Sequence, residues 1–238
     1  MAFSTMIKPH NYNTKMQQDT KRQNINFMCL LIWIFLISCT LGFVVEVTYT
    51  YFTKGHYVNK QGMLYGPFKP IYGFGGVLFT ILFYKVRHYR TYVLFILGSV
   101  TGAIYEYFCS YLQEILFKSR SWNYSKFKYN INGRINPTHA IYWGILAMIF
   151  IKLILPIIII IASKIPIKIQ KPIAIVVAVF MTINMFLSAC AVMRQVERIK
   201  SIPPQNKFEH FLDKHYGDKT IRETFTHMKF VYVDKNEK

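Results

Sequence analysis

Three carboxylates stand inside otherwise apolar stretches of this chain: Glu46, Glu106 and Glu114. A charged side chain is costly inside a bilayer, so such residues usually face a protein interior or a water-filled cavity and have a partner there. At about 1.5 Å per helical residue, the three acids lie roughly 9, 18 and 6 Å below one membrane surface, in that order. We therefore predict that they form a polar membrane site near that surface.

Two basic residues are candidates to pair with these acids. Arg134, in the loop before the fourth apolar run, is the expected partner, because a guanidinium binds a carboxylate through two hydrogen bonds. Lys152 reaches the depth of Glu106 if its helix continues to Ala162. If that helix ends near Pro156, Lys152 extends to the opposite interface instead. We favour the second placement.

A buried ion pair can serve three purposes. It can lock helices together, which is the plainest interpretation. It can also belong to a pathway for a proton, an ion or a substrate, or act as an acid–base pair on lipid. The sequence has no nucleophile elbow, no His-Glu-x-x-His and no other established catalytic motif. No catalytic residue is therefore predicted, and an enzyme is the less favoured interpretation.

Residues 58–75 (VNKQGMLYGPFKPIYGFG) form the densest motif, in which glycine, proline and aromatic residues alternate. The prolines block a regular helix before Ile71. Non-helical backbone at membrane depth survives only inside protein or beside water. Either a re-entrant turn packed under the third loop or a simple turn before a glycine-rich helix is expected. The loop residues predicted for the site, here and in the third loop, are Asn59, Tyr65, Gly66, Pro67, Trp122, Asn132 and Gly133.

The elements that must position these residues are apolar runs of the length that crosses a bilayer. Hydrophobic residues make up 53% of the 238 residues and charged residues only 17%, which excludes a disordered chain and argues against a water-soluble globule. A span needs about 20 apolar residues. We predict an all-α integral membrane protein with about five transmembrane helices, the second of which has a re-entrant segment as its alternative. The predicted spans are 27–50, 67–84, 91–117, 137–162 and 172–193.

The remaining chain is polar. A basic N-terminal segment (1–26) precedes the transmembrane domain (27–193), and a charged helical tail (194–238) follows it. The net charge is +18, but the basic residues lie between apolar blocks, which indicates an anionic membrane surface rather than nucleic acid. Basic residues near the membrane are slightly more frequent in the first loop, the third loop and the tail, so we expect a cytoplasmic tail.

Glycines accompany two of the acids. Gly42 lies four residues before Glu46, and Gly102 lies four before Glu106, so each glycine shares a helix face with its acid. Small residues at this spacing let helices approach closely. We expect the first and third spans to share an interface that holds both acids.

The cysteines point to no metal or redox chemistry. All four stand inside apolar runs, without a Cys-x-x-Cys pair and without a histidine at metal-binding spacing. They are interpreted as small buried hydrophobic residues. No metal site and no cofactor are predicted. The four are Cys29, Cys39, Cys109 and Cys190.

The chain resembles the CmpB-like family of bacterial membrane proteins, which carries the name of type IV ABC-transporter permeases. The resemblance covers roughly residues 35–230 and implies a multi-pass protein of the bacterial cell membrane. It also implies a transport subunit that works in the lipid bilayer with a separate ATP-hydrolysing subunit. Because five spans make only a small pathway, such a subunit can also form a homodimer. The residues that carry it are 58–75, 106–114 (EYFCSYLQE), 122–125 (WNYS), 132–135 (NGRI) and 143–144 (WG).

We favour a membrane subunit of a transport system, of unidentified substrate. The sequence has no G-x-x-x-x-G-K-[ST] motif, so it cannot supply the ATP hydrolysis itself. One alternative is a scaffold or sensor that does not transport and presents its charged tail to a partner. Another is a membrane enzyme acting on lipid or cell-envelope substrates, with Glu46, Glu106 and Arg134 under the first loop.

Overall fold

The computed structural model describes residues 25–231, and most of these residues lie in helices. Residues 1–24 and 232–238 lie outside this description, and most of the predicted N-terminal segment lies there as well. Short elements stand between the helices: a 3₁₀ turn (Val86–His88), a π-turn (Phe150–Ile154), and the strands β1 (Ser119–Arg120) and β2 (Lys229–Phe230), which pair antiparallel. The helices are α1 (Phe27–Lys54), α2 (Pro70–Phe83), α3 (Thr91–Phe117), α4 (Pro137–Ile149), α5 (Leu155–Ser163), α6 (Ile167–Ile199), α7 (Lys207–His215) and α8 (Asp218–Thr224).

The predicted all-α membrane fold is confirmed, although a count of five spans is not. Four helical stretches among the described residues are long and apolar enough to cross a membrane: α1, α3, α4 continued through α5, and α6. The predicted second span is the 14-residue helix α2. At 1.5 Å per residue it is about 21 Å long, shorter than the ~30 Å hydrocarbon core.

Helix starts follow ordinary capping chemistry. The Asn136 side chain accepts a hydrogen bond from the His139 amide at 3.0 Å, and Pro137 occupies the first turn of α4. Asn26 caps α1 in the same way. Both are favoured N-terminal arrangements because they satisfy amides that have no partner inside the helix.

The glycine faces join different helices from those expected. A Cβ at Gly42 would lie 2.2 Å from the Tyr72 ring of α2, and a Cβ at Gly102 would lie 2.3 Å from the Cβ of Trp143 in α4. Glycine therefore permits close packing of α1 on α2 and of α3 on α4. The expectation of a shared interface between the first and third spans was wrong, because each glycine face is taken by the next helix along the chain.

Lys152 lies in the π-turn and does not reach Glu106. Its Nζ donates to the carbonyl oxygens of Arg87 and Tyr89, at 2.6 and 3.1 Å. Its helix does not end near Pro156, since α5 continues to Ser163.

The tail packs against the membrane domain. Leu212, Tyr216, Ile221 and Phe225 are buried together against Ala191 and Val192 of α6. Helix α6 runs to Ile199 without interruption, through the predicted domain boundary at 193. The tail therefore extends a membrane helix and folds back onto its end.

Candidate functional site

The loop after α1 folds back into the helix bundle as a non-helical stretch, the re-entrant segment (residues 56–69). Met63 is fully buried, packed with Cys39 and Met181. The Lys69 amide donates to the Cys39 carbonyl oxygen at 3.1 Å. Cys39 lies about 22 Å from the end of α1 by helical rise, so the chain packs far along α1 before α2 begins.

Polar side chains of α6 satisfy the buried backbone of the re-entrant segment. The Leu64 amide donates to Ser188 Oγ at 2.8 Å. The Tyr65 amide donates to Asn184 Oδ1 at 3.2 Å, and Asn184 Nδ2 donates back to the Tyr65 carbonyl at 2.7 Å. Unpaired backbone groups at this depth would each be costly, so these two α6 residues, one helical turn apart, stabilise the re-entrant path.

The glycine–proline pair inside the segment forms its tightest turn. Gly66 has φ of +79°, a left-handed conformation that favours glycine, and Pro67 follows it. Gln61 Nε2 donates to the Gly66 carbonyl oxygen at 2.9 Å. The Gly62 amide donates to the Phe68 carbonyl oxygen at 2.9 Å and closes the loop. Gly66 and Pro67 thus shape the turn, and Gln61 satisfies a backbone carbonyl within it.

Glu46 forms an ion pair with Lys69, the last residue of the re-entrant segment. The Lys69 side chain is 8% exposed and that of Glu46 is 27% exposed. The Tyr72 hydroxyl also faces the Glu46 carboxylate from the first turn of α2. The structure thus gives Glu46 a lysine from the first loop as its partner, and does not bring it to Arg134.

Glu106 is held by two neutral donors. Tyr124 OH donates to one carboxylate oxygen at 2.9 Å, and Trp143 Nε1 donates to the other at 2.7 Å. The residue is 6% exposed, and no basic side chain of residues 25–231 forms a salt bridge with it. Tyr72 stacks on Trp143 with ring centroids 6.0 Å apart and lies within electrostatic reach of both Glu46 and Glu106. We call these six side chains the buried polar network: Glu46, Lys69, Tyr72, Glu106, Tyr124 and Trp143.

Glu114 and Arg134 form a second ionic site nearer the end of α3. Arg134 Nη2 lies 2.7 Å from the Glu114 carboxylate, and Arg120 Nε lies 2.5 Å from the same oxygen. Arg134 is 7% exposed and also donates to Ser110 Oγ at 3.2 Å. Of the three acids, Arg134 therefore contacts only Glu114.

The third loop holds Tyr124 in place above Glu106. The Tyr124 amide donates to the Gly133 carbonyl oxygen at 2.7 Å. Asn132 Nδ2 donates to the Tyr107 hydroxyl at 2.9 Å, and Trp122 Nε1 donates to the Arg134 carbonyl oxygen at 3.0 Å. Of the predicted residues of this loop, Gly133 contacts Tyr124 directly, while Asn132 and Trp122 bond neighbouring residues.

The tail is bonded directly to the re-entrant segment. The hydroxyls of Tyr65 and Tyr216 lie 2.6 Å apart. Asn59 Nδ2 donates to the Glu223 carbonyl oxygen at 3.3 Å, and the Asn59 carbonyl oxygen accepts from Thr226 Oγ1. Strand β2 of the tail pairs with β1, which follows α3 at the start of the third loop. The tail therefore contacts the third loop as well as the re-entrant segment.

Two arginines of α6, which sequence reasoning did not assign to the site, hold the tail. Arg194 is 2% exposed and binds both carboxylate oxygens of Asp213. Its Nε donates to Oδ1 and its Nη2 donates to Oδ2, each at 3.0 Å. Arg198 binds Asp213 at 2.6 Å and Asp218 at 2.7 Å. The Arg194 guanidinium holds the pKa of the Asp213 carboxyl below its ordinary value. The spacing of the two arginines by four residues was the available signal.

A family model described as "Putative ABC-transporter type IV" matches residues 33–189. The chain belongs to this family. The predicted resemblance is thereby confirmed, and the matched stretch contains the re-entrant segment, all three acids and Arg134, but not the tail. No curated protein and no solved structure matches the chain. Among residues 25–231, no group of three or more His, Cys, Asp or Glu side chains is placed to hold a metal ion.

Proposed function

We propose that this family member is the membrane subunit of an ABC-type transport system, and that a separate ATP-hydrolysing subunit binds the face that carries the tail. Membership of the family supports the transport role. The sequence lacks the glycine-rich loop and lysine that would cradle ATP phosphates, so a partner has to supply hydrolysis. The tail face is then cytoplasmic, in agreement with its greater number of basic residues near the membrane.

One observation carries the coupling part of this proposal: the tail and the membrane interior are linked by contiguous contacts. Tyr216 of the tail bonds Tyr65 of the re-entrant segment, and Lys69 at the end of that segment bonds Glu46 of α1. A subunit that moves the tail would therefore move the residues that position the buried polar network. Coupling between distant sites needs such a physical connection.

Helix α7 offers the docking surface for the proposed partner. Phe208 and Phe211 are 42% and 41% exposed, and their rings stack with centroids 6.3 Å apart. Exposed aromatic residues are frequent anchors of protein interfaces. We propose that this pair inserts into the ATP-hydrolysing subunit.

The test is purification of the tagged full-length protein from its own host in mild detergent, followed by an ATPase assay and identification of bound subunits. Wild-type protein is expected to retain a stoichiometric ATP-hydrolysing subunit. Phe208→Ser combined with Phe211→Ser is expected to lose it, while Tyr129→Ser is the matched control, because Tyr129 is 85% exposed in the third loop. A folded wild-type preparation without any ATP-hydrolysing subunit would contradict the proposal and favour a scaffold or sensor.

A further inference from the structure

A cavity of about 430 Å³ lies between α3 and α6, beside the buried polar network. Leu112 and Leu116 of α3 face Met185 and Val192 of α6 across it, and Phe225 of the tail also lines it. Small-molecule sites typically enclose ~300–1,000 Å³ and are mostly apolar with a few polar groups. At ~30 Å³ per water-sized group, this cavity holds roughly 14 non-hydrogen groups, which is most of a sixteen-carbon fatty acid, and the end of such a chain extends beyond it.

That volume and shape fit one aliphatic chain. The lining residues of α3 run from Tyr105 to Phe117, which corresponds to about 18 Å along the helix axis. A space so long and so small in volume accommodates a single extended chain, whereas a two-chain phospholipid would need far more room. Cys109 and Ala189 line the cavity from opposite helices and leave space because their side chains are short.

The cavity has a polar region made by the first loop and the tail. His227 lines it, and its Nδ1 is buried without a hydrogen-bond partner among residues 25–231. Burial, and then the positive charges of Lys69 and Lys60, lower the pKa of His227 to about 3. His227 is therefore a neutral hydrogen-bonding group in an electropositive place. Lys69 itself lines the cavity and is 6% exposed.

We propose that the cavity binds a single-chain anionic amphiphile, a long-chain carboxylic acid, with its chain between α3 and α6 and its carboxylate at His227, near Lys69. The carboxylate would give the free His227 nitrogen the partner it lacks, and Lys60, which unlike Lys69 is not paired with Glu46, favours a negative head group. That this ligand is the transported substrate depends on the proposed function, but binding itself does not.

The experiment measures tritiated palmitate bound to the purified full-length protein in nanodiscs, without any ATP-hydrolysing subunit. Saturable binding near one palmitate per chain is expected. Ala189→Trp fills the cavity and should weaken binding at least ~tenfold, whereas Ile183→Trp, on the exposed face of the same helix, should leave it unchanged. His227→Ala should weaken palmitate while leaving hexadecanol, which has no charge, nearly unaffected.

A second measurement needs no substitution. Palmitate carrying a diazirine at the end of its chain should label peptides from α3 and α6 that contain Cys109 or Met185, and excess palmitate should prevent the labelling. The proposal is overturned if binding is not saturable, if the two tryptophan variants behave alike, or if added phospholipid displaces palmitate as well as palmitate does. If palmitate binds but no ATP-hydrolysing subunit co-purifies, the transport role fails and the cavity assignment stands.

Discussion

Removing Lys69 should destabilise the protein, because Glu46 would be left partly buried without its cation. Breaking a buried ion pair by removal of one partner costs about 3–5 kcal/mol. Since the Glu46 side chain is 27% exposed, water recovers part of this cost, and we expect Lys69→Met to lose about 2–3 kcal/mol. For a chain of this size, ~2–4 °C per kcal/mol predicts a fall in Tm of roughly 4–12 °C.

The double variant makes this a test of the pair itself. Lys69→Met combined with Glu46→Leu removes both charges, and replacing both partners of a buried pair with apolar residues is often close to neutral. We expect the stability of the double variant to lie within about 1 kcal/mol of wild type. The difference between its loss of stability and the sum of the two single losses is the coupling energy of Lys69 and Glu46. Thermal unfolding of detergent-purified protein measures Lys69→Met, Glu46→Leu and the double variant, with Lys54→Met as a control for an exposed charge.

Two outcomes would refute the reasoning. If Lys69→Met unfolds at the wild-type temperature, Glu46 is not held by Lys69. If the double variant is as unstable as the sum of the single variants, the two side chains act independently and no ion pair is formed.

Three further results are expected. Gly102→Val should destabilise by ~1–3 kcal/mol because a Cβ would lie 2.3 Å from Trp143, whereas Gly217→Ala, with no atom nearer than 3.7 Å, should be nearly neutral in thermal unfolding. Trp143→Phe should cost about 1–3 kcal/mol, since Glu106 loses one of two donors while the ring volume is largely kept. The pKa of Asp213 is lowered in the folded protein. Its contribution to the stability of the docked tail is therefore complete above its unfolded pKa of about 3.9, and is lost as the pH falls through its lower folded pKa. Proteolysis of the tail should therefore accelerate only in acid, and an unchanged rate there would contradict the ion-pair account.

Much of the helical frame was predictable from apolar run length. The predicted span 91–117 coincides with α3, because the run stays mostly apolar between two polar loops even though Glu106 and Glu114 interrupt it. The spans at 27–50 and 172–193 were predicted too short. Helix α6 continues past its apolar run to Arg194 and Arg198, which the tail contacts, whereas α1 runs on to Lys54 through exposed residues.

The partners of the acids were harder to predict, since they depend on how deep a non-helical segment reaches. Lys69 is counted as a loop charge in the sequence, and only the re-entrant path brings it to Glu46. Trp143 and Tyr124 lie 37 and 18 residues from Glu106 in the chain. The spacing of these residues in the sequence does not show that the side chain of Trp143 packs against Gly102 of α3. The cavity arises from α3, α6 and the tail together, so no single stretch of sequence encodes it.

Hydrogen exchange at the re-entrant segment tests most directly the claim that tail and segment form one connected unit. Asp213→Asn combined with Asp218→Asn should remove the ion pairs that hold the tail to Arg194 and Arg198. The amides of Leu64 and Tyr65 should then exchange faster together with the tail. Peptides from the packed faces of α1 and α2 should keep their protection. If the tail peptides lose protection while the re-entrant peptide exchanges at the wild-type rate, the proposed coupling from the tail to the buried polar network is wrong.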